Sequence, residues 1–288
     1  YIFGFDEEYQ ATDAMTLVNK LHPIWIGVSA SFLDYYLGPY FTYFTAFFLW
    51  ISKGDPLLTG YIAGLVGVAT SIVVFFVGWK FFNLTTGVIS SLLYSGLPLI
   101  VFYNQKFWNP MFVPLIVLLM FTSLMLVKRS PWWWLLYSGV VGSIFETDLA
   151  PLPLVIIGVW FFLKGKYWLN KRLVISCILV FFLFYWPLVV FDYFHNWSNL
   201  LVLSRYSQQA KQAGVKFNPK DKFFSVLDTR GRFWHLKPGR PNAAELNIFC
   251  NSQRTYPSPW LSTLSIILFI YFLSISVKIK KDAYQLLA

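Results

Sequence analysis

Four groups of residues in this chain have the types and spacing to do chemistry. The first is Asp6-Glu7-Glu8, three adjacent carboxylates in a chain that has only 13 acids in 288 residues. A carboxylate at a membrane face can take a proton from an acceptor hydroxyl or amine without a metal. The same acids also suit the positive end of a helix, with Asp6 as its cap. The second group is Tyr103-Asn104-Gln105-Lys106-Phe107-Trp108-Asn109-Pro110. Here Lys106 offers an ammonium to a phosphate and Asn109 a polar ligand. The plainer role is a turn, with Asn109-Pro110 closing one helix and opening the next and Trp108 anchored at an interface. The third is Glu146 and Asp148, which interrupt an apolar stretch. Ionisable groups there either face a cavity or a partner, or form an external turn before Pro151. The fourth is Asp192 and His195, which close a long apolar segment. They either end a helix at the interface or orient a donor phosphate or an acceptor. No glycine-rich phosphate loop, zinc-ligand spacing or nucleophile elbow is present. Cys177 and Cys250 show no metal spacing and fall in unlike surroundings, one apolar and one polar.

The elements that must position these residues are membrane helices. The chain is 57% hydrophobic, 21% aromatic and 12% charged, and a soluble domain carries about twice that charge. The apolar residues form long blocks at 35–52, 57–79, 84–103, 110–127, 132–147, 149–163, 173–191 and 259–277. This predicts an all-α, polytopic transmembrane helical bundle. Residues 8–21 read as an amphipathic helix on the membrane surface, with Ala11, Ala14, Met15, Val18 and Leu21 on one face. The net charge of +10 reads as topology rather than as nucleic-acid binding. Lys128-Arg129, the run Lys164/Lys166/Lys171/Arg172 and Lys278/Lys280/Lys281 are expected on the cytoplasmic side. Alternation then puts 104–110, Glu146/Asp148 and the loop after Asp192 outside. Lys53 is expected inside, with 35–52 running inward and Asp6 outside. One conflict follows. Asp6 and Asn109 both come out external, yet three apolar segments lie between them, and three full crossings would separate them.

The organisation expected is a first outer loop at 1–34, a transmembrane catalytic module at 35–203, an outer loop at 204–258, and a further membrane helix with a basic cytoplasmic end at 259–288. The outer loop carries ten Lys/Arg against three Asp/Glu, a balance that attracts anions such as lipid phosphates or simply solvates the loop. The chain reads as beginning inside a loop, with a membrane helix expected upstream.

Several of these pieces, in this order, resemble the GT-C glycosyltransferases, the membrane superfamily that includes protein O-mannosyltransferases and the lipid A aminoarabinose transferase. They are Asp6-Glu7-x-Tyr9, then Asp34-Tyr35-Tyr36-Leu37-Gly38-Pro39, then Trp108-Asn109-Pro110, then Phe191-Asp192-x-x-His195-Asn196. The likeness covers roughly residues 1–200, and the 103 positions between Asp6 and Asn109 are similar to the family's spacing between its two outer-loop polar residues. The resemblance implies an enzyme in a bacterial or archaeal cell membrane, with its site facing outward. It would move a sugar from a polyprenyl-phosphate carrier to a lipid, glycan or protein acceptor, with inversion and no required cofactor; a divalent cation is not indicated. Asp6 would be the general base and Glu7 its support, orienting the acceptor or stabilising positive charge. Lys106, Asn109, Arg205 and His195 would contact the donor and its phosphate. Tyr9, Trp108, Glu146, Asp148 and Asp192 would line the acceptor side. The sequence departs from the family at Gln105, where relatives often carry Arg, and at Glu146 and Asp148, where they often carry Gln and His. The alternative from another class is a transporter or lipid flippase, which would place polar residues and broken helices near the bilayer midplane.

Overall fold

The computed structural model describes residues 5–30, 35–202, 205, 263–264, 267–268 and 270–271. Among these the chain is helical, with an isolated antiparallel β-bridge between Ser29 and Tyr36. Two compact units are distinguished. The first takes 1–95 with 103–215, and the second takes 96–102 with 216–288. The described residues of the second unit are helical where they fall in 263–271.

Helix α1 (Phe5–Lys20) and helix α2 (Tyr40–Ile51) pack side by side. Gln10 Nε2 donates to Thr42 Oγ1 at 2.8 Å, and Ala14 meets Ala46 and Leu49, so the two helices run parallel. The buried face of α1 is Glu7, Gln10 and Ala14, while Glu8, Thr12 and Thr16 are exposed. The expected amphipathic pattern is present except at Leu21, which lies past the end of α1 and is 82% exposed; the apolar face lies against α2, and two polar residues share that buried face. At 1.5 Å per residue the 12 residues of α2 rise about 18 Å, well short of the ~30 Å of a bilayer core.

Among the described residues, three stretches are long and apolar enough to cross a membrane: Leu57–Phe81 (α3), Asn109–Leu126 (a 3-10 turn continuing into α6, Val113–Leu126) and Lys171–Phe194 (α9). The others are shorter: α4 (Leu84–Gly96), α5 (Pro98–Tyr103), α7 (Trp133–Thr147) and α8 (Leu152–Lys164). Contacts set their directions. Ala63 packs with Phe107 and Met111 while Phe81 meets Phe121, so α3 and α6 run the same way. Helix α4 returns along α3, where Gly78 and Gly87 let the backbones touch and Ser91 Oγ donates to Ser71 O at 3.0 Å. Helix α7 reverses along α6, burying Ile116, Met120, Trp134, Val140 and Ile144 between them. Helix α8 reverses again, with the Tyr137 hydroxyl donating to Leu154 O at 3.2 Å. Helix α9 then runs parallel to α7. Gly139 and Gly142 lie under Val180, Phe181 and Phe184, and Ser138 Oγ donates to Cys177 O. Small residues at such a seam bring helix backbones close enough for tight packing.

These directions sort the charges. Lys80, Lys128, Arg129, Lys164, Lys166, Lys171 and Arg172 collect at one end of the bundle, and no acid lies between Asp55 and Glu146 or between Asp148 and Asp192. Residues 35–40, 104–112, 145–150 and 188–202 collect at the other. Phe41, at the start of α2, shares a cluster with Ala63, Phe107 and Met111. Both α2 and α3 therefore begin near this second end, and α2 is not a crossing. That removes the conflict over Asp6 and Asn109, and it corrects the expectation for 35–52: Lys53 lies on the same side as Glu7.

Proline 187 sits inside α9 and has no N–H to give Leu183 O. The Tyr40 hydroxyl fills that place, donating to Leu183 O at 2.8 Å while accepting from Trp186 Nε1 at 2.7 Å. Tyr40→Phe leaves both groups without this partner. We expect a loss of about 1–2 kcal/mol, read as a lower midpoint in detergent unfolding, with no change in helix content.

Candidate functional site

The second end of the bundle is organised by one segment, 35–40, which has polar groups on both sides. On the first side, α1 begins against the 104–110 connection. Glu7 is 2% exposed and Lys106 5% exposed, and Lys106 Nζ lies 3.5 Å from Glu7 Oε1. The same ammonium sits 4.4 Å from the centroid of the Trp108 ring. Trp108 is itself stacked on Tyr103, with rings 5.4 Å apart and 9° from parallel. A cation held between a carboxylate and an aromatic face is fixed in place, because both attractions grow as water is removed. Asp6 occupies the second position of α1, immediately before Glu7; its side chain lies outside the described residues.

Three residues beyond Lys106, Asn109 opens the 3-10 turn and donates from Nδ2 to Glu146 O at 3.4 Å. Glu146 is buried on α7, with Oε2 accepting from Tyr40 N at 2.9 Å. That donor is one of the orphan N–H groups at the start of α2, and the carboxylate also meets the positive end of the helix. Gly38 makes room for it. A Cβ on Gly38 would fall 1.8 Å from Glu146 Oε1, and Gly38 N donates to Phe145 O at 2.9 Å. The glycine of the Leu37-Gly38-Pro39 run is thus required by a carboxylate 108 residues further along the chain.

On the other side of the segment, Asp192 is buried at the end of α9. Its Oδ1 accepts from Asn199 N at 2.8 Å and its Oδ2 from Leu200 N at 3.2 Å. Asn199 in turn clasps Tyr36: Oδ1 accepts from Tyr36 N at 2.7 Å and Nδ2 donates to Tyr36 O at 3.0 Å. One amide thereby satisfies both backbone groups of a residue 163 positions away. Tyr35 is buried between the two sides, with Tyr185, Asp192 and Glu146 as its ionisable neighbours. Asn199→Ala exposes the Tyr36 N–H and C=O. We expect it to cost about 1–3 kcal/mol and to speed amide exchange at Tyr36 and Leu37.

The expected site residues divide accordingly. Glu7, Lys106 and Trp108 are in direct contact, Asn109, the chain neighbour of Trp108, is bonded to Glu146, and Asp192 joins Glu146 through Tyr35 and the Tyr36 clasp. Asp148 shapes a turn, its Oδ1 accepting from Ala150 N at 2.6 Å ahead of α8. His195 is exposed, stacked on Phe191 at 4.0 Å, with Nδ1 2.7 Å from Phe191 O. Tyr9 is 54% exposed on the opposite face of α1 from Glu7 and Ala14, and Arg205 is exposed beyond Val202. Asp34 and the basic loop from 206 to 258 lie outside the described residues. Asn199, Tyr40 and Gln10 were not singled out from the sequence. Asn199 had no signal beyond its place after a helix end, because its role depends on Tyr36. Among the described residues no group of three His, Cys, Asp or Glu could hold a metal ion.

The arrangement can fix a buried cation beside acidic groups at the end of a helical bundle opposite its basic end. Comparison with known proteins adds no relative: no family model, no curated protein and no solved structure matches the chain.

Proposed function

We propose that this chain is a membrane glycosyltransferase that takes a sugar from a polyprenyl-phosphate carrier and passes it to a hydroxyl or amine acceptor. The reaction is a single displacement. Asp6 takes the proton from the acceptor as the acceptor atom bonds to the anomeric carbon. The bond from that carbon to the phosphate oxygen breaks, its electrons leave with the lipid phosphate, and the configuration inverts. The transition state carries positive charge on the sugar ring, as in glycoside hydrolysis. The leaving phosphate needs a cation rather than a strong acid, and Lys106 supplies it.

The observation that carries this reading is the buried Glu7–Lys106 pair on the first turn of the helix that holds Asp6. The pair spans 99 positions of sequence and holds a candidate phosphate contact beside the neighbour of the candidate base. The sorting of charge supports an outward-facing site, since the basic end suits the cytoplasm. The acids cluster at helix ends rather than at mid-depth, unlike the midplane sites of transporters. A transporter or flippase reading draws on one feature, the break between α4 and α5 at Leu97.

One experiment separates the two. The chain is reconstituted into vesicles containing a polyprenyl-phosphate-linked labelled sugar and an outer-face acceptor fraction. The enzyme moves label from the carrier to the acceptor. If the intact carrier changes leaflet and no label leaves it, the glycosyltransferase reading is wrong.

A further inference from the structure

We infer that the turn between α8 and α9 is a binding site for an anionic phospholipid, whose phosphate is held by Lys164, Lys166, Lys171 and Arg172. The site lies at the end of the bundle opposite Glu7 and Lys106 and is independent of the proposed sugar transfer. The four cations fall within residues 164–172, and all four are exposed. The nearest acids along the chain are Asp148 and Asp192. Asp148 shapes the turn ahead of α8, and Asp192 is buried at the far end of α9, so neither serves this turn. Among the described residues no carboxylate pairs with any of the four. Like charges this close repel one another when nothing neutralises them. Lys171 and Arg172 add to the imbalance, because they are the first two residues of α9 and stand at its positive end. A bound anion relieves both repulsions.

The turn is a fixed frame for these charges. The Tyr167 ring packs into the core, with its centroid 5.6 Å from that of Trp134 and 6.1 Å from that of Phe162. Gly165 leaves room for that ring, since a Cβ there would overlap Tyr167. Lys166 takes a left-handed backbone, with φ 54°, and Asn170 caps α9 by accepting from Leu173 N at 3.2 Å. Lys164 is held as well. Its Nζ lies 4.6 Å from the centroid of the Trp160 ring, which keeps the ammonium at the margin of the apolar surface. That margin identifies the anion. Helix α9 is long and apolar enough to cross a membrane, and Lys171 and Arg172 begin it. Within the next turns α9 exposes Ile175 and Leu179, while α8 exposes Ile156 and Trp160 on its approach to the turn. A ligand whose phosphate meets the cations while its chains lie along these side chains is a phospholipid. Trp168, exposed in the same turn, suits the interface that a headgroup occupies.

The test measures lipid retention by the full chain in detergent micelles, using native mass spectrometry. Phosphatidylglycerol and phosphatidylcholine are titrated separately; both carry a phosphate and acyl chains, but only the first has a net negative charge. The unaltered chain should bind phosphatidylglycerol at least about tenfold more tightly. Lys171→Gln/Arg172→Gln should weaken that binding by about tenfold or more and leave phosphatidylcholine unchanged. The control Lys80→Gln/Arg129→Gln removes the same charge from the same end of the bundle but outside this turn, and should weaken it by less than about threefold. The thermal midpoint gives a second readout. Phosphatidylglycerol should raise it more for the unaltered chain than for Lys171→Gln/Arg172→Gln. In phosphatidylcholine alone that variant should be at least as stable as the unaltered chain, because repulsion has been removed. Equal retention of the two lipids overturns the site. An equal loss in the control pair also overturns it, by making the attraction a property of the whole basic end. Displacement of phosphatidylglycerol by a similar concentration of glycerol 3-phosphate does the same, since a free phosphate ester would then be the ligand. A variant less stable than the unaltered chain in phosphatidylcholine would give the cations a structural role instead, and overturns the site as well.

Discussion

Asp6→Asn is expected to lower sugar transfer by about 10²- to 10⁴-fold, the range for losing a positioned general base. The amide keeps the size and shape of the carboxylate but cannot take the acceptor's proton. Asp6 is the second residue of α1 and not its cap, contrary to the expectation from sequence; there an amide gives up only the carboxylate's attraction to the positive helix end, about 0.3–1 kcal/mol. Folding should therefore be little changed, and so should affinity for polyprenyl phosphate, since Lys106 and Glu7 are untouched. The measurement is single-turnover transfer from a labelled carrier, with binding followed in parallel. Full transfer by Asp6→Asn would remove Asp6 from the reaction. Loss of binding along with transfer would make it a structural residue instead.

The second large effect belongs to Gly38. A methyl group there meets Glu146 Oε1 at 1.8 Å, and Glu146 cannot swing away without giving up the Tyr40 N–H and moving a buried carboxylate. We expect Gly38→Ala to cost about 1–3 kcal/mol from overpacking and Gly38→Val to cost more. The effect should spread to the start of α2 and, through Gly38 N and Phe145 O, to the end of α7. A double-mutant cycle tests the cause. In a Glu146→Ala background the space beside residue 38 is open, so Gly38→Ala should cost less there by about 1 kcal/mol or more. Additive effects would mean that the glycine is needed for its backbone and not for the carboxylate beside it.

Gly38 also illustrates how far the site could be read in advance. The run Leu37-Gly38-Pro39 marks a break before a helix on local grounds, since proline is favoured at a helix start and glycine relaxes the backbone before it. Nothing local says that a glutamate from α7 occupies the missing side chain's place. The acids at 6–8, 146 and 192 stood out because charge is scarce in this chain, and scarcity is a property of sequence. Their grouping is different. Glu7 meets Lys106, and Asn199 meets Tyr36, only because helices reverse in a particular order. A bare count of apolar blocks gives the wrong parity for that order.

What the sequence determined by itself is therefore the material of the fold. Long apolar blocks require helices, since an unpaired backbone is too costly in an apolar medium. Basic clusters between them settle which ends belong together, because Lys and Arg are not carried across readily. The tertiary structure alone decided three things. It turned Glu7 and Gln10 inward together with the apolar face of α1, because Lys106 and Thr42 were there to receive them. It made 35–52 a short helix beginning at the acidic end rather than a crossing, because α3 starts beside it and runs with α6. And it tied the end of α9 to Tyr36 through Asp192 and Asn199. Each is a contact between residues far apart in sequence, whose energy exists only after the helices have packed, so no local pattern could carry it.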